Sequence, residues 1–482
     1  MLDYDLASVQ EARNLARIAS EAQKWLDEIS QQEADRLVYA LVQAADVNAK
    51  RLARMAVEET GFGIYQDKVI KNQFASRNVW SSVKDVKTVG VIYEDRDKKI
   101  VEIAVPVGVI MGLVPSTNPT STVIYKAIIS LKSRNAIIFS PHPSAAKCTF
   151  AAAQVMQEAA VNAGAPGGVI GCLSKVTMEA TESLMRDQNV SLILATGGSG
   201  MVKAAYSVGK PALGVGPGNV PAFIERSADI KQSVANILRG KCFDNGTICA
   251  SEQAVVTEEC IKEQVMDEFR AQGGYFLSQK EVKQVCGFLF DDRGGMNAAS
   301  VGKSPEVIAQ QAGIEIPAGT KVLIGEQEGV GVAYPLSREK LTTVLAFYTE
   351  KDWHAACTRC IELLNEGGIG HTLVIHSQNE DVIREFALKK PVFRILVNTP
   401  SSLGGIGYTT GLVPALTLGS GTWGGSATSD NVSPLNLINR KRLAYHLENS
   451  MEQVSSSHGQ AVLSVSNHEL ETIIKRVISR LA

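Results

Sequence analysis

A thiol follows a tight polar turn in Phe243-Asp244-Asn245-Gly246-Thr247-Ile248-Cys249-Ala250-Ser251-Glu252-Gln253. Asn-Gly reverses the chain at little steric cost, and small or polar neighbours leave Cys249 within reach of a substrate. A structural cysteine more often sits among aliphatic residues. Cys249 is therefore a candidate nucleophile. Alone, Cys249 also reads as a buried cysteine beside a turn, and His371, in Gly367-Gly368-Ile369-Gly370-His371-Thr372, reads as a satisfied core histidine.

The elements that hold such groups follow from the apolar pattern. From about residue 5 to 85 the chain reads as helical, with Leu37, Ala40, Leu41, Ala44 and Ala45 recurring at three and four; this region should pack on a later sheet. Residues 89–108 read as a β-hairpin around the charged turn Glu94-Asp95-Arg96-Asp97-Lys98. Short apolar runs then alternate with helices: Val107 to Val114, Ala136 to Phe139, Val169 to Cys172, Val190 to Ala195 and Ala212 to Gly216. Runs buried on both faces and joined by helices predict a parallel, doubly wound sheet, with ligands beyond the carboxyl ends of its strands.

Those ends carry the unusual loops: Pro115 to Pro119, Ser140 to Ser144, Thr196 to Gly200 and Gly214 to Asn219. Thr196-Gly197-Gly198-Ser199-Gly200 opens a helix after a strand, where backbone N–H groups could meet a pyrophosphate; the same glycines could serve the turn alone. The strict Gly-x-Gly-x-x-Gly fingerprint is absent. A second α/β unit is expected over about 218–415, with His371 in the loop before a strand Leu373 to His376. Cys357-Thr358-Arg359-Cys360 has redox or half-zinc spacing, but it lies in a helical stretch without a second ligand pair and is read as structural, so no metal site is expected. The glycine-rich stretch 404–425 suggests close backbone packing near a site.

A formal net charge of -2 over 482 residues gives no global attraction for nucleic acid or anionic membranes, and points to small molecules or other protein chains as partners. Eight cysteines show no disulfide-framework spacing, and the N-terminus lacks a basic segment followed by an apolar run. The expected location is cytoplasmic. Val107 to Val114, the most continuous apolar stretch, is too short to span a bilayer.

The end of the chain changes character. Residues 448–466, with Ser455-Ser456-Ser457-His458-Gly459-Gln460, read as a linker, and 467–482 as an amphipathic helix. Its stripe is Leu470, Ile473, Ile474, Val477, Ile478 and Leu481, with Lys475, Arg476 and Arg480 opposite.

Six ordered motifs then acquire a joint meaning. They are the Cys249 segment, Gly368-Ile369-Gly370-His371, Val114-Pro115-Ser116-Thr117-Asn118-Pro119-Thr120-Ser121, Ile138-Phe139-Ser140-Pro141-His142-Pro143, Ala195-Thr196-Gly197-Gly198 and Gly419-Ser420-Gly421-Thr422-Trp423-Gly424-Gly425. Together they resemble the CoA-acylating aldehyde dehydrogenases, and among these the aldehyde dehydrogenase half of bifunctional aldehyde-alcohol dehydrogenases. The resemblance covers about residues 1–447. It leaves out the iron-dependent alcohol dehydrogenase half, which suggests a monofunctional acylating enzyme.

The resemblance implies an α/β aldehyde dehydrogenase fold. A Rossmann-like dinucleotide-binding domain would comprise 1–88 and 109–217, and an α/β catalytic domain 218–429. The 89–108 hairpin and 430–447 would be oligomerisation elements of a homodimer or homotetramer. It assigns Cys249 as nucleophile, Asn118 as oxyanion-binding amide and His371 as the group that handles the CoA thiol proton. Leu113, Val114, Pro115, Ser116, Thr117, Asn118, Gly198, Gly216, Glu339 and Leu418 fall where that family contacts NAD, with Glu339 on the nicotinamide ribose.

The implied reaction is aldehyde + CoA + NAD+ to acyl-CoA + NADH + H+. Hydrolytic relatives carry a water-activating glutamate in Glu-Leu-Gly-Gly, where this chain has Val215 in Gly214-Val215-Gly216-Pro217-Gly218. Many of them also have a lysine after the strand where this chain has Ser140-Pro141-His142, so the cofactor grip should be looser and NAD and CoA could bind in turn. The alternatives are a hydrolytic, acid-forming dehydrogenase, and a non-catalytic shell-associated or filament-forming relative. The tail resembles the encapsulation peptides of bacterial microcompartments, with a helix folded back on its own oligomer or lying on a membrane as alternatives. Acetaldehyde, propionaldehyde, lactaldehyde and sulfoacetaldehyde all stay open as substrates, as does NAD against NADP.

Overall fold

The computed structural model describes residues 3–291 and 294–447, and, in the tail, residues 468, 471–472, 475–476 and 479. The tail's apolar stripe, Leu470, Ile473, Ile474, Val477, Ile478 and Leu481, lies outside the described residues, as does the linker at 448–466.

Helices Tyr4–Glu28, Gln31–Thr60 and Tyr65–Gln73 open the chain. A Ser30/Glu33 capping box starts the second, and Gly61, left-handed at φ 66°, ends it. Its inward stripe, Leu37, Val38, Leu41 and Ala45, is buried in one core with the strands of the first parallel sheet, as the helical periodicity predicts.

A hairpin follows, of strands β1 (Gly90–Asp95) and β2 (Ile100–Pro106). Next come β3 (Val109–Val114), β4 (Ile137–Pro141), β5 (Ile170–Cys172), β6 (Val190–Thr196) and β7 (Ala212–Val215), in a sheet of order β5-β4-β3-β6-β7. All its pairings are parallel, and the order reverses at β3, which leaves a crevice between the carboxyl ends of β3 and β6. The helix Pro119–Lys132 is buried on every side, and Lys126 within it donates 2.7 Å bonds to the carbonyls of Leu113 and Leu194. That lysine ties together the two strand ends that frame the crevice.

The second sheet has strands β8 (Val220–Ile224), β9 (Glu252–Glu258), β10 (Gly274–Phe276), β11 (Val322–Glu326), β12 (Val344–Glu350), β13 (Gly370–His376) and β14 (Val392–Val397). Its order is β10-β11-β12-β9-β8-β13-β14, again parallel throughout. One expectation is corrected here. His371 belongs to β13, whose pairing begins with Gly370 opposite Val392, so it stands on a rigid strand and not in the preceding loop.

The last strand, β15 (Ile438–Ala444), joins the hairpin in a three-stranded sheet of order β1-β2-β15. Glu102 pairs there with Arg440 at 3.2 Å and Arg442 at 3.0 Å. Val91, Tyr93, Leu443 and Tyr445 are exposed in this unit. No helix among the described residues is long and apolar enough to cross a membrane.

Candidate active site

Cys249 lies three residues before β9, His371 near the start of β13, and Gly218 just before β8. The amino ends of the second sheet thus meet a cavity of about 670 Å³ whose other walls come from the carboxyl ends of β3, β4, β6 and β7. Leu113, Val114, Pro115, Ser116, Thr117, Asn118, Gly198, Gly216, Glu339 and Leu418 all line it together with Cys249. His371 stands behind the cavity wall, completely buried, and reaches the site through the thiol.

His371 Nε2 is 3.2 Å from Cys249 Sγ, and its Nδ1 is 2.9 Å from the Thr372 hydroxyl. Arg394, opposite Thr372 in the β13–β14 register, donates to that hydroxyl at 3.3 Å. Burial, reinforced by the Arg394 charge, holds His371 well below its usual pKa. Burial pushes the half-buried Cys249 thiol up to about 12, Glu339 adding to the effect and Arg394 opposing it. The resting pair is therefore a neutral thiol beside a neutral imidazole. Two glycines make room for it: a Cβ at Gly218 would fall 1.9 Å from the Cys249 carbonyl oxygen, and one at Gly370 1.8 Å from that of Ser420. The latter contact accords with the close backbone packing expected of 404–425.

Asn118 occupies the N-cap of helix Pro119–Lys132, yet its side chain does not cap the helix. Forgoing such a cap typically costs about 1 kcal/mol, so the amide is committed elsewhere. Its Nδ2 donates to the Thr247 carbonyl and the Thr117 hydroxyl, both at 3.1 Å, and its Oδ1 accepts from Lys71 Nζ at 2.6 Å. The amide thus lies on the cavity wall it shares with Cys249, bonded to the carbonyl two residues before the nucleophile.

Glu339 Oε1 accepts the Gly218 N–H at 3.0 Å, and burial raises its pKa to about 7. Val215, at the end of β7, is buried and lines the cavity with an isopropyl group that cannot activate water. At the far end, Ser140, His142, Ser144, Thr177 and Thr181 offer hydroxyls and an imidazole.

These walls fit a dinucleotide. Gly197 and Gly198 have open space where a Cβ would point, and the helix Ser199–Ser207 begins there without a side-chain cap. Its amino end can therefore receive a pyrophosphate. Among the described residues no cluster of side chains could hold a metal. Cys357 and Cys360 lie buried in the helix Trp353–Asn365, where Lys390 Nζ contacts Cys357 Sγ.

Lys68, Lys71, Asp244, Thr372 and Arg394 support the site but did not stand out in the sequence. Only Arg394 carried a signal: it falls on the inward phase of Val392-Phe393-Arg394-Ile395-Leu396, where an apolar residue is expected.

Residues 1–274 match the aldehyde dehydrogenase family. The bifunctional aldehyde-alcohol dehydrogenase AdhE of Escherichia coli (strain K12) is 46% identical over 451 residues, which cover 92% of this chain and 50% of that protein. This chain thus spans about half the length of the first curated relatives it matches. The crystal structure of an acetylating aldehyde dehydrogenase from Geobacillus thermoglucosidasius superposes with a TM-score of 0.91 at 52% identity, covering 93% of this chain and 99% of that one. A Rhodopseudomonas palustris propionaldehyde dehydrogenase with bound CoA and an acylated cysteine gives a TM-score of 0.82 at 26% identity, covering 90% and 97%.

Proposed function

Because the chain belongs to the aldehyde dehydrogenase family, we propose that it oxidises a small aldehyde with NAD+ and CoA to acyl-CoA and NADH. The observation that carries this reading is the contact between Cys249 and a neutral His371, in a cavity whose wall bears Val215 in place of a water-activating carboxylate.

Cys249 Sγ adds to the aldehyde carbonyl as its thiol proton leaves to solvent, the H+ of the overall reaction, and the resulting oxyanion takes hydrogen bonds from Asn118 Nδ2 and the Cys249 N–H. The Thr117 hydroxyl, which can donate as well as accept, is the exchangeable partner of Nδ2. NAD+, when bound, supplies the hydride acceptor. Glu339, fixed by Gly218, would hold its ribose, and the Gly197–Gly198 turn would take its pyrophosphate. Hydride loss leaves a thioester on Cys249. The CoA thiol then gives its proton to His371 Nε2 and its sulfur displaces Cys249, whose departing sulfur takes the proton back from His371 as acyl-CoA is released. A thiol, with a pKa of roughly 8.5 to 9, needs one imidazole for this step, whereas water needs a stronger base that Val215 does not provide.

The exposed apolar side chains of the three-stranded sheet support a homo-oligomer, and the tail's sequence pattern supports encapsulation inside a bacterial microcompartment. Deleting residues 455–482 should leave activity intact and abolish co-sedimentation with shell proteins. The main reading is tested by absorbance of NADH with a panel of small aldehydes, with and without CoA. NADH formation that requires CoA supports it. Sustained CoA-independent turnover to a free acid would assign a hydrolytic enzyme, and silence with every aldehyde a non-catalytic one.

A further inference from the structure

We propose that Lys71, clamped by Asp244, is a positioning residue that sets the orientation of the Asn118 amide and strengthens it as an oxyanion donor. This rests on the oxyanion role of Asn118 given above. Lys68 and Lys71 lie one turn apart on the helix Tyr65–Gln73, on its buried face. Lys71 Nζ has three neighbours: Asn118 Oδ1 at 2.6 Å, Asp244 Oδ2 at 2.5 Å and the Thr247 hydroxyl at 3.0 Å. An ammonium has three N–H groups and no lone pair, so all three are used and every partner must accept.

That requirement decides the amide. Only the oxygen of a carboxamide can face an ammonium, so Nδ2 is turned to the opposite side, where it donates to the Thr247 carbonyl two residues before the nucleophile. Without the ammonium, a half-turn about the last side-chain torsion would present Oδ1 to the developing oxyanion, and a donor would become a repelling acceptor. The charge also draws electron density through the amide toward Oδ1, which sharpens the Nδ2–H dipole.

Asp244 makes the arrangement rigid. Its Oδ1 accepts the Ile64 N–H at 2.7 Å, and its Oδ2 takes Lys68 at 3.0 Å and the Thr247 hydroxyl at 2.7 Å besides Lys71. Asp244 and Asn245 are both left-handed, at φ 50° and 52°, in the turn that leads to Cys249. Gly63 leaves space for the carboxylate, since a Cβ there would lie 1.9 Å from Oδ1. Burial draws the Lys71 pKa down to about 8, with Asp244 opposing. Stability alone does not call for such a pair, because an apolar pair of similar volume is often as stable or more so. The arrangement instead places a cation directly behind the side chain assigned to the oxyanion.

The test is a double-mutant cycle on the single-turnover burst of NADH, which reports hydride transfer before CoA acts. Asn118→Ala should slow the burst by about 10²–10³, the range for a lost oxyanion donor. Lys71→Met should slow it by at least tenfold, with NAD+ affinity unchanged. The Lys71→Met/Asn118→Ala protein should be no slower than Asn118→Ala alone. A double mutant showing the product of the two single effects, or Lys71→Met with the unaltered rate, would overturn the proposal. If Lys71→Met does not fold because Asp244 keeps only Lys68, Lys68→Met/Lys71→Met/Asp244→Asn removes the whole charged cluster and must show the same non-additivity with Asn118→Ala. A fast burst in Asn118→Ala would overturn the oxyanion assignment itself, and this proposal with it.

Discussion

His371 Nε2 meets Cys249 Sγ at 3.2 Å, but the environments of the two groups keep the proton on sulfur. Burial raises the thiol to about 12 and, with Arg394, lowers the imidazole. The site is therefore unlike a thiolate–imidazolium pair, and the nucleophile must be deprotonated as it attacks.

Because only the thiolate alkylates, the free enzyme should be inactivated by iodoacetamide at a rate that climbs about tenfold per pH unit, without a plateau near 8.5. Cys249→Ala should abolish both NADH formation and capture of an acyl-enzyme. Cys242→Ala should keep most of the activity, since that sulfur is turned to the Lys321 carbonyl at 3.3 Å. A plateau of alkylation rate below pH 9 would show that the thiol is activated before substrate arrives.

His371→Ala separates the two halves of the reaction. The burst of NADH should persist near one per active site, while steady turnover falls by roughly 10²–10⁴, the range for a lost acid–base group. Stopped-flow absorbance measures both. A variant with no burst would move His371 to the first half.

The first parallel sheet and its connecting helices were legible because strands buried on both faces leave continuous apolar runs; the second could be read as an α/β unit but its strands could not be ordered. The loops at the first sheet's strand ends were legible because glycine and proline mark forced turns. Cys249, Asn118 and His371, the proposed catalytic residues, were named from ordered motifs. What supports them could not be picked out. Lys68 and Lys71 read as ordinary helix-surface charges, since nothing local shows that their face meets Asp244, over 170 positions away in sequence. Asp244 itself read as part of a turn. The start of β13 was misplaced because Gly370, at φ 78°, reads as loop, although its backbone is already paired with β14.

Arg394 yields a pH prediction. Its guanidinium disfavours imidazolium, so the acid limb for transfer of the acyl group to CoA lies well below 6.5. Arg394→Gln removes that charge and leaves burial, the larger cause, in place. The limb should move upward and still lie below 6.5, as read from the pH dependence of CoA-driven deacylation of a preformed acyl-enzyme. The variant should also unfold at lower temperature, because Arg394 donates to the carbonyls of Ser429 and Gly419. A limb that shifts downward would exclude direct electrostatic control of His371.

Gly218 is the glycine packed against the nucleophile's own backbone, and alanine there tests the geometry without touching a reactive group. Its N–H holds Glu339, while its Cα borders the Cys249 carbonyl and lies close to the His371 ring. A Cβ would sit 1.9 Å from that backbone oxygen and 3.3 Å from His371 Cε1, so the Cys249 segment has to shift. Backbone before a strand yields less readily than a side-chain end, and misplacing a reacting atom by about 1 Å can cost about 10²-fold. Gly218→Ala should therefore lose at least that factor in both the NADH burst and the CoA step, because the nucleophile serves both. His371→Ala slows the second step alone, so comparing the two variants in one stopped-flow experiment separates displacement of Cys249 from loss of the base. A Gly218→Ala protein with an unchanged burst would mean that the close approach at Cys249 is not required for attack.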